Sequence, residues 1–234
     1  RKWKLKTTRD NIQDYLVDSF NRNLKNRKEE TIFGSIPVYI NDSLPDEVNI
    51  KLVLQAIENA IPEHLAYGVE AIYVEHLEEF EKRAINAVYK SGSIYVTNLQ
   101  DGDEDMIDDI VHEIAHSAET LYRKQIYNDK AIIDEFVGKR KRLLDILNQE
   151  GYNISAETFL DPNYSRQVDN FLYQKIGYPL LTTLVQGLFI SPYSATSVRE
   201  YFAIGFEEHF LKDSKYVKKI CPKLYAKILE LSSL

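Results

Sequence analysis

The chain has 234 residues, 44% of them hydrophobic and 28% charged, with a formal net charge of −7, which is ordinary for a soluble globular protein with a sizeable core. No run of eighteen apolar residues occurs, so no membrane span is indicated. A single cysteine, Cys221, excludes an intrachain disulfide framework and a cysteine-based zinc site.

The charge is unevenly placed. Residues 1–28 carry nine Lys/Arg against three Asp, whereas residues 101–119 carry eight Asp/Glu and no Lys or Arg. The basic end reads as a solvated helix face, and it has no recognisable nucleic-acid motif. The acidic stretch favours a cation nearby. The chain begins at Arg1, as a fragment or a processed form does, so the lack of a visible signal peptide fixes no compartment, and a secreted or virion-associated setting is compatible.

Taken in order, residues 1–30 read as a basic helical segment, with Ile12, Tyr15, Leu16, Phe20 and Leu24 on one stripe. Ile36–Ile40 reads as a strand closed by Asn41-Asp42. Pro45-Asp46 opens a helix that runs to about Ala60, and Pro62 ends it. Val69–Val74 is a second strand, and residues 77–83 are loop or one helical turn. Ala84–Tyr89 and Ile94–Asn98 form a hairpin around Lys90-Ser91-Gly92-Ser93. Its second arm is either a sheet edge, open to an extended peptide by strand addition, or an interior strand.

A helix follows over Asp105–Tyr122. Met106, Ile107, Ile110, Val111, Ile114, Ala118 and Leu121 recur at steps of three and four and define a core-facing stripe. His112-Glu113-Ile114-Ala115-His116 lies at its centre. Histidines four apart share one helix face, so both imidazoles can reach one ion. The intervening glutamate is then placed to take a proton from water that the metal activates. Asp109, one turn earlier, is either an orienting partner for a ligand histidine or a solvated carboxylate favoured by the helix dipole.

Beyond this helix the chain reads as mostly helical: Asp129–Gln149 capped by Gly151, Ser155–Leu160, Tyr164–Ile176, then an apolar segment over Tyr178–Phe189, Val198–Leu211 capped by Ser197, and a last helix from Pro222 to about Leu231. His64 and His76 read as surface residues. His209 is too far along its helix to share the ion, and Cys221 reads as a small buried hydrophobe.

A catalytic zinc site needs a third protein ligand beside an open position. Glu119 and Tyr122 stand where a longer H-E-x-x-H-x-x-G-x-x-H motif would need Gly and His, which excludes the metzincin pattern. Two candidates remain, Glu157 and Glu200. Gly205 on the helix of Glu200 costs about 1 kcal/mol relative to Ala, and a close approach to the motif helix would account for it.

Tyr193, six intervening residues and then Glu200-Tyr201-Phe202-Ala203-Ile204-Gly205-Phe206 resemble the C-terminal site of the anthrax lethal factor-like zinc metallopeptidases, which include the Pro-Pro endopeptidases. Residues 141–155 resemble the helix and turn that precede the tyrosine in that family, and the resemblance spans roughly residues 94–210. It implies an α+β, zincin-like fold: a small N-terminal mixed sheet with helices, a mostly helical C-terminal part, and the active-site helix at their junction. It implies Zn²⁺ held by His112, His116 and Glu200, Glu113 as general base, and Tyr193 as oxyanion partner, with Tyr201, Tyr178 and Tyr164 as rivals for that last role. Residues 31–234 then form one catalytic domain, with an α/β part at 31–125 and a helical part at 126–234. His116 and Glu200 are further apart than in the family, and the excess lies at about 158–191 as one or two extra helices. The expected activity is zinc-dependent endopeptidase action on a protein or peptide substrate. The alternative is a restrained or inactive zincin-like binding module of a toxin or viral particle.

Overall fold

The computed structural model describes residues 28–78, 80 and 85–234. It is a mixed α+β fold in which one five-stranded sheet is followed by a largely helical half. The expected N-terminal helical segment lies outside the described residues up to position 27. Its last three residues belong instead to strand β1 (Lys28–Ile32).

β1 turns back antiparallel onto β2 (Ile36–Ile40). Helix α1 (Ile50–Ala60) carries the chain to β3 (Ala71–Glu75), which is parallel to β2. α1 starts four residues later than Pro45-Asp46 suggests. The side chain of Asn49 accepts from the amides of Lys51 and Leu52, and this cap fixes the start. β4 (Ala87–Lys90) and β5 (Ser93–Thr97) form the expected hairpin. Its two-residue turn has φ of 51° at Ser91 and 84° at Gly92, a left-handed pair that suits the strand twist.

The sheet order is β1-β2-β3-β5-β4. β5 is parallel to β3 and interior, so among the described residues it is the first arm of the hairpin, β4, that lies at the edge. Val38, Ile40, Ile72, Val74, Ile94 and Val96 alternate onto one face and are buried. On the other face Tyr39, Tyr73 and Tyr95 stand in register across three strands, with ring centroids 5.3 and 5.2 Å apart.

The motif helix α2 (Asp103–Leu121) packs on this sheet and on α1. Its first turn holds Asp103, Glu104 and Asp105, which complement the helix dipole. The chain continues through α3 (Arg123–Tyr127), α4 (Ala131–Gln149), α5 (Ala156–Leu160) and α6 (Arg166–Asn170). The helix expected over 164–176 breaks at Phe171, where a π-helical turn (Phe171–Ile176) begins. Next come α7 (Tyr178–Leu184), a 3₁₀ turn (Tyr193–Ala195), α8 (Val198–Leu211), α9 (Ser214–Ile220) and α10 (Pro222–Ser232). The sequence reading assigns no helix to α9, which Asp213 caps through the amides of Lys215 and Tyr216.

One apolar core joins the two halves, since Met106, Ile110 and Ile114 belong to the same buried cluster as Phe136, Phe202 and Phe206. His64 contributes to the same closure: its Nε2 lies 2.8 Å from the Leu231 carbonyl of α10, so it is a structural link and not a bare surface residue. Among the described residues no helix is long and apolar enough to cross a membrane.

Candidate metal centre

α8 lies along α2, and this packing brings the two parts of the sequence pattern together. Ser197 sets where α8 begins, because its side chain accepts from the Glu200 amide at 3.2 Å. Glu200 is therefore in the first turn, opposite the histidines. Its Oε2 lies 3.1 Å from His112 Nε2 and 3.6 Å from His116 Nε2. One donor atom from each of the three residues falls within 4.8 Å of the other two, a group that can hold a metal ion. The rival Glu157 is exposed on α5 and is not part of this group.

Several polar side chains of α2 do not face solvent. Glu113, His116 and Glu119 are each less than a tenth exposed, enclosed between β4 and α8. Such burial requires partners for every ring nitrogen. His112 Nδ1 lies 3.5 Å from Glu207 Oε2, and His116 Nδ1 lies 3.7 Å from Glu119 Oε2. At His112 the carboxylate on Nδ1 favours the proton there and leaves Nε2 as the atom aimed at Glu200. Arg199 Nε stands 3.0 Å from His116 Nδ1 and 3.3 Å from Glu119 Oε2. Arg199 Nε carries a hydrogen at every pH, so in that contact it donates and His116 Nδ1 accepts, while the guanidinium also pairs with the Glu119 carboxylate. Tyr127 Oη also donates to Glu119, at 2.9 Å.

Asp109 does not orient a histidine. It accepts from Gln100 Nε2 at 2.9 Å, and burial raises its carboxyl to about 6. Glu207 takes the role considered for it. The signal was present in the sequence as a seven-residue step from Glu200, two turns along the same face of α8. Glu119 was legible only as the residue that breaks the metzincin pattern.

Electrostatics define what the donor set suits. Burial disfavours a charged imidazole at His112, yet the Glu200 and Glu207 carboxylates outweigh it and raise the ring to about 10. His116 is raised in the same way, against its own burial, by Glu119 and Glu200. Glu200 is held well below the ordinary carboxylate range by the two histidines, despite its burial. At neutral pH the proton held on His112 therefore stands where a cation would stand, which fits the donors to a metal ion.

Glu113, beside the triad, reaches the sheet. Its Oε2 accepts from the backbone N–H of Tyr89 at 2.6 Å. In the hairpin register Lys90 and Ser93 flank the turn as a hydrogen-bonded pair, so Tyr89 directs its N–H outward at the sheet edge. Tyr193 sits at the start of the 3₁₀ turn, 40% exposed, with its ring centroid 6.5 Å from that of His112. Partial burial and the Glu200 charge raise its hydroxyl above the usual tyrosine value, so it stays a donor. Among its rivals, Tyr201 is fully buried and donates to Glu135 at 2.9 Å, and Tyr164 donates to Asp169 at 3.1 Å. Tyr178 is within electrostatic reach of Glu200, but the ring against His112 is that of Tyr193.

Gly205 is not explained by contact with α2. A Cβ there would overlap Leu224 Cδ2 and stand 3.1 Å from its Cγ, so the close approach is to α10. Cys221 is fully buried, and burial raises its thiol to about 11, which suits an inert core residue.

The chain matches no protein-family model, and no curated protein or solved structure is significantly similar to it.

Proposed function

We propose that the protein is a zinc-dependent endopeptidase of zincin-like fold, related in the layout of its site to the lethal factor-like metallopeptidases. One observation carries the reading. The Nε2 atoms of His112 and His116 and a Glu200 oxygen converge within 4.8 Å, with the Glu113 carboxylate one residue along the same helix turn. Two imidazoles and a carboxylate are the three-donor set of a catalytic zinc, which keeps a fourth position for water, and not the four-donor set of a structural one. Zinc held there supplies Lewis acidity, which polarises a carbonyl and acidifies water.

The remaining roles belong to the chain. Glu113 accepts a proton from the attacking water and returns it to the leaving amine. Its bond to Tyr89 N–H holds the carboxylate at the sheet edge, beside the position an extended peptide takes when it pairs with β4. The Tyr193 hydroxyl, kept protonated, donates to the oxygen that gains charge in the transition state. Glu207 keeps the His112 imidazole in the tautomer that presents Nε2.

Glu113→Gln is expected to retain zinc at wild-type stoichiometry and to lose cleavage of a peptide library, both read on the same preparation. Glu200→Gln is expected to lower metal content. A Glu113→Gln variant that still cleaves disproves the mechanism, and unchanged metal content in Glu200→Gln removes Glu200 from the donor set.

A further inference from the structure

Arg140 is a buried charge that the proposed chemistry leaves unused. It lies in the middle of α4 and is 0% exposed. No carboxylate receives its guanidinium in the hydrogen bonds it makes. Nε donates to the Ala195 carbonyl at 2.8 Å, and Nη2 to the Thr196 carbonyl at 2.5 Å. Nη1 donates to the Phe159 carbonyl, and at 3.3 Å to that of Asp161. The rings of Phe136 and Phe159 lie 5.0 and 4.9 Å from its Cζ. Burial lowers its pKa to about 10, still far above neutrality, so the group remains a cation.

The four carbonyls come from two stretches of chain. Phe159 and Asp161 stand where the 158–191 segment departs, and Ala195 and Thr196 stand where the chain has returned. The same junction is tied by the Val198 amide, which donates to the Pro162 carbonyl at 2.8 Å. The returning stretch is short and stiff. Thr196 Oγ1 donates to the Tyr193 carbonyl at 2.7 Å, and Ser197 caps the helix that carries Glu200 four residues beyond Thr196. Only a planar fork of N–H donors spans both stretches at once; an ammonium radiates three donors from a single atom.

We infer that Arg140 is the positioning residue for the third metal donor: by clamping both feet of the 158–191 segment it sets the start of α8, and so the place of Glu200 against His112 and His116. This rests on the metal-site reading above, but not on peptidase activity. Small displacements of a donor are costly, because the outer partners of a metal site typically govern tenfold or more in affinity.

The test is a double-mutant cycle on the full chain, read as Zn²⁺ affinity by chelator competition, with far-UV circular dichroism as the control for folding. Arg140→Lys is expected to weaken Zn²⁺ binding about tenfold in the wild-type background. In a Glu200→Gln background it is expected to change affinity less than about twofold, since the donor it positions is already gone. Equal weakening in both backgrounds means general destabilisation and overturns the inference, as does unchanged affinity in a folded Arg140→Lys protein. Should that variant fail to fold, Phe159→Leu removes one aromatic face of the seat while keeping every donor of Arg140. The same coupling to Glu200 is then expected at about threefold, and its absence overturns the inference. A wild-type protein that binds Zn²⁺ through Glu200 and cleaves nothing defeats the peptidase reading while the cycle still decides the role of Arg140.

Discussion

Glu207→Gln isolates the support given to one donor. The change keeps the side-chain volume and removes the charge from a group only 14% exposed. Glu207 has two partners: His112 Nδ1 at 3.5 Å and Lys212 Nζ at 2.8 Å. Lys212 also holds Asp108 at 2.9 Å, so it is not orphaned when Glu207 is neutralised. The loss therefore falls mainly on His112. A hydrogen bond to a charged group contributes about 1.5–3 kcal/mol, and a contact as long as this one belongs at the low end. About 1.4 kcal/mol corresponds to a tenfold weaker metal affinity. Chelator competition at fixed pH measures it, with thermal unfolding of the metal-free protein run alongside. The expected result is about a tenfold loss of affinity with the fold retained. Affinity within about twofold of wild type, in a folded protein, refutes the claim that Glu207 orients His112.

Metal binding is expected to release protons from His112 and His116, since both are raised in the metal-free site. Between about one and two should appear at pH 7 in calorimetry across buffers of different ionisation enthalpy, and fewer than about half a proton contradicts the raised values. The sign for the metal-free fold follows the same groups. The His112 contribution is complete below the ordinary histidine value and fades as pH rises through about 10, while that of Glu200 is present above its ordinary value and fades in acid. Gly205→Ala gains about 1 kcal/mol of helix propensity but overpacks the fully buried Leu224 by about 1–3 kcal/mol. A net loss of up to about 2 kcal/mol is expected in denaturant unfolding, and a more stable variant refutes it.

Where local rules govern, the sequence reading and the structure agree closely. The α8 helix spans the expected Val198–Leu211 because Ser197 is an unambiguous cap, and α2 differs by two residues at its start and one at its end. The mixed α+β order was legible from the change in periodicity after the motif helix. What escaped is decided by distant partners. Pro45-Asp46 and Asn49 each carry helix-start chemistry, and only the folded backbone chooses Asn49. A hairpin is written in Ser91-Gly92, but which arm joins β3 depends on a parallel pairing across twenty residues. The donors His112 and His116 are one helix turn apart and easily read. Their carboxylate partners come from another helix in one case and from a broken motif in the other, so neither announced its role.

The span of the donor set has a consequence for how the molecule is made. His112 and Glu200 are 88 residues apart, and helices α3 to α7 are synthesised between them. A nascent chain that has emerged only through α2 presents two imidazoles, a pair that lets an ion exchange readily. In the proposed site, firm retention would wait until α8 has left the ribosome and docked beside α2. Resistance of a bound ion to a chelator would thus mark the moment when α8 has closed onto α2, and metal retention would time the docking of the two halves.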